Sequence, residues 1–266
     1  MVFYKTSAEI EFMRECNSLV CQVHALIASE LQPGITGEKL DRLAETFIRD
    51  HMAEPGFKGY QGFPATLCIS PNEQVVHGIP NEKPFENGDV ISFDCGVLKN
   101  GFYGDAAFTF LLGDVAADAK ELCRVTRESL RKGIHAARVG NKVGDISFAI
   151  QNYAERKHGY GVVRELVGHG VGRSLHEPPE VPNFGRRGKG QFLKEGMVLA
   201  IEPMVNLGTR RIKHHKDGWT VTTKDSQVSA HYEHSVHITK RGPDILSDHD
   251  IIDRAIKKND YIMQVE

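Results

Sequence analysis

DVISFDCGVLKNGFYGDAAFTFLL, residues 89–112, is the stretch from which the fold can be read. Asn100-Gly101 at its centre is the strongest short signal for a two-residue hairpin turn. Apolar residues flank it on both sides, Val90, Ile91 and Phe93 before it and Phe108, Phe110 and Leu111 after it. With Asn100 and Gly101 in the turn, Lys99 pairs with Phe102 and paired positions sum to 201. Asp94 then faces Ala107, and Gly96 faces Asp105. Side chains alternate with period two, so positions 94, 96, 105 and 107 share one face. Asp94 and Asp105 become diagonal neighbours, roughly 5–8 Å apart. A slip of one residue would remove this juxtaposition. Two aspartates on an apolar face, among Phe93, Cys95 and Phe108, need a partner, because a buried carboxylate is costly unless paired or bound to a cation. A surface hairpin with ordinary solvated aspartates is the plainer alternative.

Outward from the hairpin, the sequence carries a trace of duplication. Residues 86–94, ENGDVISFD, align with residues 194–202, KEGMVLAIE. Each stretch has Gly-x-Val, then apolar residues, then a carboxylate six positions after the glycine, Asp94 and Glu202. A second carboxylate follows in each half, Asp105 and Glu233, ahead of the strand-like runs 106–112 and 234–239. Helices are expected on either side. Thr6 and Glu9 form a capping box ahead of an apolar stripe of Ile10, Met13, Cys16, Val20, Val23 and Ile27, which Pro33-Gly34 ends. Leu40, Leu43 and Phe47 mark a second helix. Two more are expected around 116–137 and 145–158, the latter with Asp145 as N-cap and Gly159 as stop. Short strands are expected near 66–70, 75–78, 162–166, 197–206, 219–223 and 232–239.

Three further clusters carry chemistry. In residues 168–179, GHGVGRSLHEPP, the spacing resembles a dinucleotide loop, but Arg173 stands where the third glycine would be needed. The small neighbours leave room around His169 instead. Most of the thirteen histidines are ordinary core or surface residues. Glu202 ends the apolar run 197–201, an odd place for a core glutamate and a natural one for a metal ligand. Glu233, in AHYEHS at 230–235, reads alone as a surface residue. Asp94, Asp105, His169, Glu202 and Glu233 together make four carboxylates and one imidazole, too much negative charge for one divalent ion and suited to two. Mostly oxygen ligands with one nitrogen favour manganese, iron, cobalt or zinc over a thiolate site. Two ions about 3.5–4 Å apart can generate a hydroxide and clamp a tetrahedral intermediate.

Composition narrows the setting. Lys plus Arg number 33 and Asp plus Glu 35, a formal charge of −2 that points to neither nucleic acid nor an acidic interaction arm. Five cysteines, an odd number without a C-x-x-C pair, fit reduced thiols and a cytoplasmic protein. The first eleven residues carry Lys5 and Glu9 and no signal-like apolar core. No apolar run approaches the roughly 20 residues of a membrane span.

The ordered set Val76-His77-Gly78-Ile79-Pro80, Asp94, Gly104-Asp105, residues 168–178, Ile201-Glu202-Pro203-Met204 and Tyr232-Glu233-His234 closely resembles type I methionine aminopeptidase, over essentially the whole chain. The resemblance implies an α/β (α+β) pita-bread fold, one catalytic domain over residues 1–266. Its two pseudo-symmetric halves, about 1–113 and 114–266, have antiparallel sheet covered by helices and a dinuclear site between them. It implies Asp94, Asp105 (bridging), His169, Glu202 and Glu233 (bridging) as ligands, with Glu202 also a proton shuttle. His77 and His176 are implied as substrate-contacting, non-ligand histidines. Tyr60, Phe63, Cys68 and Trp219 fall where the family builds an apolar methionine pocket. Two residues depart from the pattern: His231 where a glutamine is expected and Leu175 where a phenylalanine is frequent. Both are expected at the substrate rim, away from the metals.

The function so implied is removal of the initiator methionine from nascent polypeptides when the second residue is small, in the cytoplasm and at the ribosome, by a monomer with no nucleic-acid or membrane partner of its own. Two alternatives stand beside it. An Xaa-Pro aminopeptidase or prolidase shares the fold but usually adds an N-terminal domain. A catalytically dead scaffold would tend to have lost ligands, and all five are present.

Overall fold

The structure, a computed structural model, describes residues 2–265. The hairpin at 89–112 pairs in the expected register: strands Val90–Lys99 and Phe102–Leu112 run Lys99↔Phe102, Gly96↔Asp105 and Asp94↔Ala107. Asn100 and Gly101 both have positive φ, 53° and 76°, as a type I′ turn requires. Leu67–Pro71 and Glu54–Pro55 pair with the first hairpin strand, and Ile262–Met263 with the second, making an antiparallel sheet of five strands.

A second five-stranded antiparallel sheet holds Gly242–Ile245, His234–Thr239, Val198–Ile201, Gly168–Gly170 and Glu177–Val181 in that order. The two aligned stretches open their sheets in the same way. Asp89 N–H donates to Glu86 O at 3.2 Å, and Met197 N–H to Lys194 O at 3.3 Å. Gly88 N–H reaches Leu112 O at 2.7 Å, and Gly196 N–H reaches Ile238 O at 3.0 Å. One detail differs from the sequence alignment. The second ladder ends on Ile201↔His234, so Glu202 and Glu233 lie one step beyond it, directly across from each other. Asp94 and Asp105 are offset by two, and the ladder counterpart of Glu233 is Ala107.

Two three-stranded sheets complete the β-structure among the described residues: Ser229–His231 with Met204–Asn206 and Gly161–Val162, and Ile212–His214 with Val221–Thr223 and Gln74–Val76. The single strand expected at 197–206 is broken at Glu202-Pro203, and the strand expected at 232–239 begins only at His234, after a break at Tyr232-Glu233. Proline cannot donate to a ladder, and each break turns a glutamate out of the sheet. The run expected at 162–166 is paired only at Gly161–Val162.

Helices cover the outer faces. α1 (Ser7–Glu30) starts in the expected Thr6–Glu9 capping box, and its stripe from Ile10 to Ile27 is buried against the hairpin. α2 (Gly37–Asp50), α3 (Ala117–Ala136) and α4 (Val143–Gln151) follow, with α5 (His249–Ile256) against α1. α4 corrects the sequence reading. Its N-cap is Lys142, and Asp145 is the third helical residue, accepting from Lys142 N–H at 2.8 Å. An acid in either position satisfies first-turn donors, so the sequence alone shifts the start by three residues. From Asn152 to Lys157 the winding loosens to a π-helix before Gly159. The main core joins both sheets through Phe93, Phe108, Phe110 and Tyr232, with Phe108 edge-on to Tyr232 at 5.1 Å between centroids.

Candidate metal centre

Cross-sheet hydrogen bonds bring the carboxylates together. Glu233 N–H donates to Ala107 O at 3.0 Å, and Ser235 Oγ donates to Asp105 O at 2.8 Å. Tyr232 Oη donates to Thr109 O at 3.0 Å. The break before His234 is therefore stitched onto the first hairpin, and Glu233, read as a surface residue in sequence, is 2% exposed. Asp105 and His169 are also buried, and one potential ligand atom from each of Asp105, His169 and Glu233 lies within 4.8 Å of the other two. Asp94 and Glu202 complete the wall of the same cavity, about 310 Å³ in volume.

The donor chemistry of this cluster calls for cations. Asp94 Oδ1, Asp105 Oδ1 and Glu233 Oε1 are buried without a hydrogen-bond partner. His169 Nδ1 donates to Gly170 O at 2.9 Å, which leaves the lone pair on Nε2. That lone pair faces Glu202 Oε1 at 3.6 Å and Asp105 Oδ2 at 3.7 Å. Acceptors converge on one another here, and among the described residues no donor reaches Asp94 Oδ1, Asp105 Oδ1 or Glu233 Oε1. Burial without a counter-charge disfavours the ionised form of these groups. Burial pushes the Asp94 carboxyl up to about 7 and Glu202 up to about 8. Asp105 and Glu233 rise well above the usual carboxylate range through burial and neighbouring acids. Burial drives His169 down to about 3, so its imidazole is neutral and able to ligate. A set of oxygens with one imidazole fits a divalent ion of the manganese, iron, cobalt or zinc class.

The remaining site residues sit around this floor. His77 is half-buried with φ of 59°, and burial lowers its pKa to about 4. The next residue, Gly78, packs so closely that a Cβ there would lie 2.1 Å from Ile69 O. His176 is at the exposed mouth, its ring 4.3 Å from that of His169, with Nδ1 2.8 Å from Tyr60 Oη. Phe63 meets Trp219 edge-on at 5.1 Å, and Cys68 pairs across the ladder with Asp94. Tyr60, Phe63, Cys68, Trp219, His77 and His176 all line the one cavity. Phe57, Gln61, Leu166 and Met204 line it too and were missed in sequence. Met204 had a usable signal, standing two residues after Glu202. All five cysteines are free and buried.

Leu175 is a buried part of the cavity wall, packed with Phe57, Phe63 and Cys68. His231 is not at the rim. It is 1% exposed, and its Nε2 lies 3.4 Å from Glu202 Oε2. The pairing Met204↔His231 carries it under the cavity, a placement set by sheet order and invisible to local pattern.

Residues 11–240 match the model of metallopeptidase family M24. The chain belongs to that family. A methionine aminopeptidase of Clostridium perfringens is 52% identical over 247 residues, covering 93% of this chain and 99% of that protein. Methionine aminopeptidase 1 of Bacillus subtilis is 47% identical with the same coverage. The crystal structure of methionine aminopeptidase from Rickettsia prowazekii superposes with a TM-score of 0.92 at 42% identity, covering 93% of this chain and all of that one. As an M24 member the chain is a metal-dependent peptidase with the pita-bread fold, and a divalent cation is its cofactor. No described helix is long and apolar enough to cross a membrane.

Proposed function

We propose that this chain hydrolyses the N-terminal methionine from nascent polypeptides whose second residue is small, as one catalytic domain built from two related halves, about 1–113 and 114–266. The observation that carries the reading is a narrow cavity with an apolar aromatic wall directly over a floor of four carboxylates and one imidazole. The wall, Tyr60, Phe63, Cys68 and Trp219, suits an unbranched thioether by burial and sulfur–aromatic contact.

Asp94, Asp105, His169, Glu202 and Glu233 would hold two divalent ions, of manganese, iron, cobalt or zinc, which when bound polarise a carbonyl and acidify a water. The protein groups do the rest. Glu202, at the edge of the cluster, takes the proton of the attacking water and returns it to the departing amine. His77 and His176, both lowered below their ordinary value by burial, enter as neutral N–H donors to the developing oxyanion and the scissile amide. A Tyr60 hydroxyl donating to His176 Nδ1 fixes the tautomer with its N–H on Nε2. The cytoplasm, with nascent chains at the ribosome, is the setting that matches this substrate, and a monomer suffices for it.

The test is turnover of Met-Ala-Ser against Met-Leu-Ser after chelator treatment and reloading with manganese or cobalt. Cleavage of the first and not the second is expected. No turnover of either with metal shown to be bound sinks the reading, and cleavage of Xaa-Pro peptides alone favours a prolidase.

A further inference from the structure

The Glu202 carboxylate lies between two imidazoles that approach it in different ways. Oε1 faces His169, whose Nδ1–H is committed to Gly170 O, so only a lone pair is presented from that side. Oε2 faces His231 Nε2 at 3.4 Å, and that nitrogen is buried with no hydrogen-bond partner. Among the described residues no hydrogen bond at Nδ1 fixes the tautomer of His231, so its proton can sit on Nε2. With a cation bound, Glu202 is ionised and only accepts, so the group facing Oε2 on this buried side must bring the hydrogen. The His231 backbone is held firmly. Its N–H donates to Thr109 Oγ1 at 3.0 Å, its carbonyl accepts from the same hydroxyl at 2.7 Å, and Ser92 Oγ is 2.8 Å from Thr109 Oγ1. The imidazole is thus anchored to the hairpin that carries Asp94 and Asp105 while it addresses Glu202 of the other sheet.

We propose that His231 is a positioning residue. With a cation bound and Glu202 ionised, the His231 Nε2–H closes the 3.4 Å gap onto Glu202 Oε2 and leaves Oε1 on the His169 side, free to ligate. The two carboxylate oxygens are thereby given separate tasks. A glutamine side chain reaches a similar distance with an N–H at its end, whereas asparagine is one methylene shorter and leucine has no donor. The proposal rests on the metallopeptidase reading of the site.

The experiment uses the full chain with His231→Gln, His231→Asn and His231→Leu, each checked by circular dichroism and thermal melting. Manganese binding to the chelator-treated proteins is measured by calorimetry, and kcat and KM on Met-Ala-Ser separately. Leucine and asparagine are expected to weaken manganese binding and lower kcat by about 10- to 100-fold, the usual effect of losing a partner that orients a ligand. KM should stay within about 3-fold, since the apolar pocket is untouched. Glutamine is expected to restore both affinity and kcat. X-ray absorption of the cobalt-loaded protein should give the same imidazole count for the parent and the glutamine variant. If leucine folds poorly, the comparison of asparagine with glutamine decides. Unchanged metal affinity and kcat in the donor-less variants overturns the proposal, as does a glutamine variant no better than asparagine. Loss of one imidazole from the cobalt spectrum of the glutamine variant also overturns it, by making His231 a ligand. A parent protein that neither binds metal nor cleaves the peptide refutes the function instead, so the two failures are distinct.

Discussion

Removing the cations should make the protein less stable as pH rises from 6 to 8, and restoring them should cancel that slope. Asp94 and Glu202 have folded-state pKa values pushed up by burial to about 7 and about 8, while their ordinary values lie near 4. Between those limits the unfolded chain has released both protons and the folded chain still holds them. Stability changes with pH in proportion to protons bound by the unfolded minus the folded state, so here it falls as pH rises. At pH 6 both groups are mostly protonated in the fold, and by pH 8 Asp94 has lost its proton and Glu202 about half. Integrated over that interval, and allowing for the coupling between them, the loss is about 2–4 kcal/mol. For a chain of this size that is a drop in melting temperature of about 4–15 °C. Manganese at a hundred times its dissociation constant should return about 2.7 kcal/mol, with the larger gain at pH 8, where fewer protons compete for the oxygens. The assay is differential scanning fluorimetry at pH 6, 7 and 8, with EDTA and with manganese. An EDTA-treated melting temperature that is flat or rises over this range, with no response to manganese, would refute the claim that these carboxylates are buried together around a cation site.

Three other perturbations test the frame around the floor. Gly78→Ala places a Cβ 2.1 Å from Ile69 O and should cost about 1–3 kcal/mol in urea unfolding, with a loss of kcat as His77 shifts. Lys5→Met leaves Glu177 buried without the cation it meets at 2.5 Å, with side chains only 5% and 4% exposed. It should cost about 3–5 kcal/mol in thermal or urea unfolding, and adding Glu177→Gln should recover much of that. A cycle showing no coupling would count against a structural ion pair beneath the His176 loop. Tyr60→Phe removes only the hydroxyl that meets His176 Nδ1. Unfolding should move by less than about 0.5 kcal/mol, and kcat/KM should fall about 2- to 10-fold.

How much of this was legible in the chain depends on how local the determining physics is. The hairpin register followed from Asn100-Gly101, because a two-residue turn leaves one pairing scheme, and ten ladder pairs agree with it. The start of α1 was legible for the same reason, since both halves of its capping box lie within four residues. Where two local solutions are equally good, sequence fails by a few residues, as at the start of α4, where Asp145 serves the first turn from inside the helix. The strand break at Glu202-Pro203 was hidden because the apolar runs on either side read as one strand, and the strand at 234–239 was read two residues early because Tyr232 is strand-like.

The deeper limit lies with residues whose meaning comes from sheet order. Glu233 reads as a surface glutamate because its neighbours in sequence are polar, and only the bond from its N–H to Ala107 O puts it under the cavity. His231 stood out as a departure in type, but its position relative to Glu202 depends on a pairing with Met204 and a clamp by Thr109, 122 residues away. The two facts belong together. The hairpin contributes Asp94 and Asp105 through a register fixed locally, and the same hairpin, through Ala107, Asp105 and Thr109, supplies the backbone and hydroxyl partners that pin Glu233, Ser235 and His231. The locally encoded element is thus the template on which the non-local half of the site is assembled. A change that disturbed the Asn100-Gly101 turn would for that reason be felt at Glu233 and His231 as well as at the aspartates.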